Sequence, residues 1–461
     1  MKNTMDVITS SDSPTTAPVT LRDVRFATWL CFFAWTFAVY DFVLFGNLLP
    51  KLAEDLGWSA SHATAVNTWV TAGTAIVAFA LGPIVDRLGR RKGILIAVAG
   101  AAVASLCTAG AGWLIGVVAG LGTVLLILVR SIAGLGYAEQ AINAAYLNEM
   151  FNHVYRDPKT ARRRGFVYSL VQSGWPVGSV IAAASIYLLF PIGGWPLCFI
   201  VAAVPGVGFV IAGRKLRESP QFVARREVER LQAAGCDEEA TQVADAAGVS
   251  MGEHGAPLAA AFRGSSLRST MVIGLAFLLC WVGVLVFVLL GTSLLTASDG
   301  KDVAFDNALA ILVVSNATAF AGYLFHGWLG DRIGRRNTIS IGWLASGVSF
   351  ALMLLAPDGQ FAVVLALYSA GLFFLIGPFS ALLFFNGESF PVHTRATGGS
   401  IINAGGQVGA ILGGFLVTAI LNAGHSWTAA AFWAGCLPVF LAGILILGAR
   451  NVDPSGAVEH A

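Results

Sequence analysis

Two stretches decide how this chain is read: Gly82-Pro83-Ile84-Val85-Asp86-Arg87-Leu88-Gly89-Arg90-Arg91-Lys92 and Gly327-Trp328-Leu329-Gly330-Asp331-Arg332-Ile333-Gly334-Arg335-Arg336-Asn337. Each carries Asp-Arg-x-Gly-Arg-Arg, and each follows the second apolar run of its half of the chain. The second copy lies 245 residues after the first in a chain of 461. Duplicated helical halves with a substrate path between them are a transporter architecture. The glycines permit a tight turn. An Asp at the C-terminal end of a helix opposes that helix's own dipole, so Asp86 and Asp331 are expected to cap the N-terminus of a neighbouring helix. The arginines are expected to reach carboxylates or lipid phosphates.

Composition points the same way. Hydrophobic residues make up 56% of the chain, charged residues 12%, and the mean hydropathy is +0.74. A soluble domain is about a quarter charged, and a single water-soluble core stops growing near roughly 250–300 residues. An all-α integral membrane protein is therefore expected. A formal net charge of +2 leaves no strongly basic face for nucleic acid. The six cysteines form no zinc spacing and no disulfide framework, and are read as small buried hydrophobes.

Apolar runs long enough to cross a bilayer lie near 26–49, 64–84, 93–112, 123–147, 165–190 and 194–213, then 269–296, 304–328, 338–356, 360–386, 397–421 and 427–449. Twelve spans are expected, in two six-helix bundles, 26–213 and 269–449, around a central substrate path. Residues 1–25 and 450–461 are expected as cytosolic tails and 214–268 as a cytosolic linker, with a surface helix over 219–234. The first 20 residues are rich in Ser, Thr, Asp and Pro and lack a signal-peptide pattern. With both termini inside, 25 of the 28 Lys and Arg residues fall on the cytosolic side. That asymmetry predicts an inner-membrane protein with cytosolic termini.

The doubled loop makes the chain resemble the major facilitator superfamily over nearly its whole length. Further matches are Arg130-x-x-x-Gly134-x-Gly136, Glu149 followed by Arg164-Gly165, Arg217-Glu218-Ser219-Pro220 and Glu388-Ser389-Phe390-Pro391-x-x-x-Arg395. Together they are similar to the branch holding sugar porters, metabolite:proton symporters and aromatic-acid:proton symporters. The run Tyr40-Asp41-Phe42-Val43-Leu44-Phe45-Gly46 leans toward the two organic-acid groups. Glu139 and Glu149 each stand about one residue early against that pattern.

An ionisable residue in mid-membrane is costly and is a functional candidate by default. Asp41, Arg130 and Glu139 are well inside spans. Asp41 and Arg130 lie at similar depths from the outer helix ends, roughly 13 and 12 Å at 1.5 Å per residue, so they can pair. A carboxylate beside a guanidinium keeps its charge; one desolvated without it takes a proton. Asp41 is expected to carry the proton and Arg130 to gate it, and the resemblance implies the same roles. Glu139 is open between a second proton site, a substrate ligand and a neutral hydrogen-bonded carboxyl.

The expected substrate ligands at midplane are Arg130, Tyr137, Asn143, Gln172, Trp281, Asn316, Asn386, Asn403 and Gln407, with Gln140 and Trp175 beside them. Asp86, Arg87, Arg90, Arg91, Glu149, Arg164, Asp331, Arg332, Arg335, Glu388 and Arg395 are assigned to an inner gate network. His326 is read as an interfacial histidine. Gly405, Gly409 and Gly413, like Gly174 and Gly178, form smooth packing faces.

The expected function is proton-coupled import of a small organic acid, a carboxylate or aromatic acid, by a monomer in contact with membrane lipid. A sugar or polyol porter and a proton-driven efflux carrier are the alternatives. An intramembrane enzyme would need a nucleophile–base constellation or a metal cluster in the spans, and none is found. No GxSxG, HExxH or GxxxxGK[ST] occurs, so no catalytic residue, metal, cofactor or ATP site is expected.

Overall fold

The computed structural model describes residues 19–154, 167–168, 170–247, 261–390 and 395–451. Among the described residues it is helical, without strands. Among the described residues eleven helical stretches are long and apolar enough to cross a membrane: Leu21–Leu56, Ala60–Gly82, Arg90–Ala111, Gly120–Phe151, Leu170–Gly213, Ser266–Leu289, Phe305–Ile333, Arg335–Leu355, Phe361–Leu382, Thr397–Asn422 and Trp427–Gly448. The 44-residue stretch Leu170–Gly213 is twice the length one crossing needs. Its backbone leaves helical geometry at Gly193 and Gly194, the latter at φ 63. It therefore holds two crossings, and the twelve spans are numbered 1 to 12 in chain order. The arginine-bearing fourth span begins with helix Ala119–Ala133, after a break at Val118, and continues as Leu135–Val154.

Local signals place the helix ends. Span 1 starts at a capping box in which Thr20 and Asp23 satisfy each other's main-chain N–H, and it stops at Gly57 in the left-handed region. Both copies of the repeated loop turn on a glycine at positive φ, Gly89 at 101 and Gly334 at 84. A side chain is disfavoured there, which explains the shared glycine. The expected cap by Asp331 is not formed. Asp331 is largely exposed and, among the described residues, pairs with Arg335 at 3.7 Å, and the Asp86 side chain lies outside the described residues. Glu218 caps the start of span 3, its Oε1 accepting from the main-chain N–H of Arg91 at 3.1 Å.

The linker is more ordered than expected. Helix Pro220–Ala233 is followed by a second helix, Asp237–Ala247, and the two bury Val228, Ala240 and Ala244 between them. Two further expectations are corrected. Cys107 and Cys236 are exposed, whereas the other four cysteines are buried. His326 is not interfacial: it is buried among Phe325, Phe373 and Phe374, and its Nδ1 donates to the Gly322 carbonyl at 2.8 Å.

The halves meet along spans 2 and 11, 5 and 8, and 1 and 7. The contacts crowd toward the end opposite the repeated loops, the far end. There Thr292 donates to the Gly46 carbonyl at 3.1 Å, Trp69 meets Phe415 edge-on at 5.5 Å, and Phe190 meets Phe305 at 5.8 Å. Gly46 and Gly414 let backbones close: a Cβ at Gly46 would collide with the Leu289 carbonyl, and one at Gly414 with Thr68. Gly409 and Gly413 pack on span 7, and Gly174 and Gly178 on span 1. At the end bearing the repeated loops, the basic end, each described ion pair joins residues of the first half and linker or of the second half. Arg90 pairs with Glu149 at 3.4 Å, Arg217 with Asp23 at 3.0 Å, and Arg335 with Glu388.

Candidate functional site

Span 1 carries Asp41 15 residues before its far end at Leu56, and span 4 carries Arg130 11 residues after its start at Ala119. Both helices reach further out than the sequence implied, so the pair lies deeper, roughly 22 and 17 Å from those ends at 1.5 Å per residue. Arg130 Nη1 is 3.2 Å from each Asp41 carboxylate oxygen, and Nη2 donates to the Asp41 carbonyl at 3.0 Å. Asp41 is 5% exposed and Arg130 2%. Ser105 of span 3 donates a hydrogen bond to Asp41 Oδ1. The guanidinium carbon lies 5.4 Å from the Phe45 ring centre and 5.1 Å from that of Phe199. Two ring faces and one carboxylate replace the water a guanidinium has lost.

Arg130 faces a pocket of about 320 Å³ with Asn67, Thr71 and Thr74 of span 2, closed on the far side by Gly46 and Leu289. Asp41 and Ser105 line a separate crevice of about 340 Å³ whose walls are mainly alanines and glycines of spans 1, 3, 4 and 6. The pair thus stands between two spaces.

The main cavity, about 630 Å³, lies between the halves. Trp35, Tyr137, Gln140, Gln172 and Trp175 line it from the first half; Phe277, Trp281, Tyr323, Phe379, Asn386 and Asn403 line it from the second. Rings stand nearly perpendicular across it: Trp175 and Trp281 at 6.1 Å, Tyr137 and Trp281 at 6.4 Å. Gln140 donates to Gln172 at 2.7 Å, and Gln172 to Tyr168 at 2.8 Å. Phe42, next to Asp41, lines the Arg130 pocket, and its ring is 5.1 Å from Tyr137 and 6.3 Å from Trp175. One ring therefore touches both the cavity wall and the arginine's surroundings.

Of the expected substrate ligands, Tyr137, Gln172, Trp281, Asn386 and Asn403 are on the cavity wall, with Gln140 and Trp175. Gln407 approaches Tyr137. Three are elsewhere. Arg130 turns away onto Asp41. Asn143 is fully buried and donates to Glu139 at 3.2 Å. Asn316 donates back to the Leu312 carbonyl of its own helix at 2.8 Å. Glu139 is fully buried inside the first half, and among the described residues its Oε1 has no hydrogen-bond partner.

In the gate set, Arg90 with Glu149 and Arg335 with Glu388 are brought together. Arg91 donates to the Arg214 carbonyl at 2.7 Å. Arg332 lies over the Trp328 ring at 4.1 Å, and Arg87 is exposed. Arg164 and the Arg395 side chain fall outside the described residues. Sequence reasoning missed Trp35, Phe277, Tyr323 and Phe379 on the cavity wall, and Ser105, Phe45 and Phe199 around the pair. Phe45 was within reach, one helical turn from Asp41; the others come from helices whose rotation the sequence does not state.

The chain has relatives among named transporters. It is 26% identical to a probable 4-methylmuconolactone transporter of Cupriavidus pinatubonensis over 441 residues, 91% of this chain and 89% of that one. It is also 26% identical to a gallate transporter of Pseudomonas putida over 450 residues, 94% of this chain and 96% of that one. Its fold superposes on the inward open conformation of the xylose transporter XylE from E. coli, with a TM-score of 0.68 and 16% identity, covering 95% of this chain and 98% of that one. The family model described as sugar (and other) transporter matches residues 23–448, so this multi-pass membrane chain belongs to that family of the major facilitator superfamily and carries small molecules rather than transforming them.

Proposed function

We propose that the protein imports a small aromatic or unsaturated cyclic organic acid together with protons, by alternating access, as a monomer in contact with inner-membrane lipid. The single observation behind the coupling is the Asp41–Arg130 pair, buried at mid-depth between the cavity and the far-end seal. A pair that only held two helices together would not need to border two spaces. In this reading 26–213 and 269–449 rock against each other, 214–268 joins them, and the termini and both repeated loops face the cytosol, a placement the basic-residue asymmetry supports.

The sequence of events follows from the charges. When the far-end contact of Gly46 with Leu289 and Thr292 opens, the Arg130 pocket meets the outside and Asp41 can take a proton as Arg130 is drawn off it. Neutralising Asp41 weakens its hold on Arg130, leaving the bond to the main-chain carbonyl. Substrate in the aromatic cavity presses on Phe42, which touches both regions. Closure at the far end and separation at the basic end then deliver both to the cytosol. The named relatives are a gallate transporter and a probable 4-methylmuconolactone transporter, and an aromatic wall suits such rings better than a polyol, which needs many polar ligands. Uptake of labelled benzoate-type acids against hexoses, with and without a protonophore, tests the reading. Hexose uptake in preference to the acid, or acid accumulation indifferent to the protonophore, refutes it.

A further inference from the structure

We infer that the central cavity holds its ligand through neutral N–H donors rather than through Arg130. Its ligand class is a small planar ring bearing a hydrogen-bond acceptor, taken whether that acceptor is an ionised carboxylate or an uncharged amide or lactone. The inference takes the cavity as the transport path of the proposed function but concerns binding alone.

Three indoles carry it. Trp35, Trp175 and Trp281 line the cavity and are 1%, 7% and 6% exposed. The Nε1 of each is buried, and among the described residues none accepts a hydrogen bond from it. Buried donors are nearly always satisfied, so three such donors around one cavity mark a place where a ligand brings the acceptor. Glycines leave room for two of them: a Cβ at Gly406 would lie 2.9 Å from Trp281 Nε1, and one at Gly174 would lie 2.9 Å from Trp35 Cδ1. Ring centres 6.0 and 6.1 Å apart, from Trp35 to Trp175 and from Trp175 to Trp281, leave faces and edges for a guest ring.

The cation is elsewhere. Arg130 is bonded to Asp41 and flanked by two phenylalanine rings, and no described residue lining the cavity is charged. A carboxylate entering such a space loses its hydration without a Coulombic return from a cation. A negative charge on the guest therefore gives it no advantage; the ring and the acceptor do.

The test is calorimetric titration of the purified full-length protein with benzoate and with benzamide. Benzamide is expected to bind at least as tightly as benzoate. Trp281→Phe and Trp175→Phe, which keep a ring and remove the N–H, are expected to weaken both ligands by about three- to tenfold each, with thermal unfolding midpoints confirming that the variants are folded. Benzoate binding more than about tenfold tighter than benzamide would place a cation in the site and overturn the inference. So would unchanged affinity in folded Trp variants, or failure of both probes to bind. The wild-type comparison does not depend on any variant. If this binding pattern holds while uptake proves indifferent to a proton gradient, the symport reading fails alone; the converse result removes only the cavity chemistry.

Discussion

Arg130 grips Asp41 at both ends of one residue, its Nη1 bridging the two carboxylate oxygens at 3.2 Å and its Nη2 bonded to the main-chain carbonyl at 3.0 Å. The second bond is independent of the proton on the carboxyl, so protonation loosens the cation without freeing it completely. Asp41→Asn should abolish concentrative uptake while substrate exchange across the membrane persists. Arg130→Lys keeps the charge but not the planar fork, and uptake should fall by about tenfold or more. Initial rates and counterflow in the same vesicles check both.

Phe42 separates the aromatic cavity from the arginine pocket. Phe42→Ala removes the ring that touches both. Substrate binding should weaken less than about tenfold, because other rings remain, while proton movement without substrate should rise. A pH-sensitive dye inside proteoliposomes would record that leak, and an unchanged leak with normal coupling would show that the ring has no such role.

The far-end seal depends on a missing side chain. Any Cβ at Gly46 meets the Leu289 carbonyl, which belongs to a π-helical segment, Leu285–Leu289. Gly46→Val should hold spans 1 and 7 apart. Cysteines introduced near the far end should then react faster with an impermeant maleimide, and uptake should fall severely without loss of protein from the membrane.

Lys301 is a buried cation outside the transport path. Its side chain is 1% exposed, and its Nζ lies 3.2 Å from the Leu354 carbonyl and 2.8 Å from Asp358, capping the end of span 9. The same loop reaches span 12, where Asp299 accepts from the Trp427 N–H at 3.1 Å. Lys301→Met should lower stability by about 1–3 kcal/mol, seen as a lower unfolding midpoint in detergent with substrate affinity retained.

Much of this was legible in sequence because hydrocarbon leaves few options. The twelve spans follow from length and hydropathy, and the doubled Asp-Arg-x-Gly-Arg-Arg loop implied the two halves. Asp41 and Arg130 were recognisable as partners because neither is tolerable alone at that depth. The cavity wall was half visible: polar and aromatic residues in spans 4, 5, 7, 10 and 11 were marked, yet Arg130, Asn143 and Asn316 were marked with them. What misled was helix rotation. Depth is countable along a sequence, but in a segment apolar all round nothing states which face looks inward. Trp35 escaped for that reason, and Glu218 because a cap supplied from 127 residues away leaves no local trace.

The most direct test of proton coupling through Asp41 is a flux measurement in proteoliposomes loaded with a pH-sensitive dye. Adding a benzoate-type acid outside, at equal pH on both sides, should acidify the interior in step with labelled uptake for the wild type, and Asp41→Asn should show no acidification. Wild-type accumulation that survives a protonophore, or an Asp41→Asn protein that still moves protons with substrate, would contradict the account.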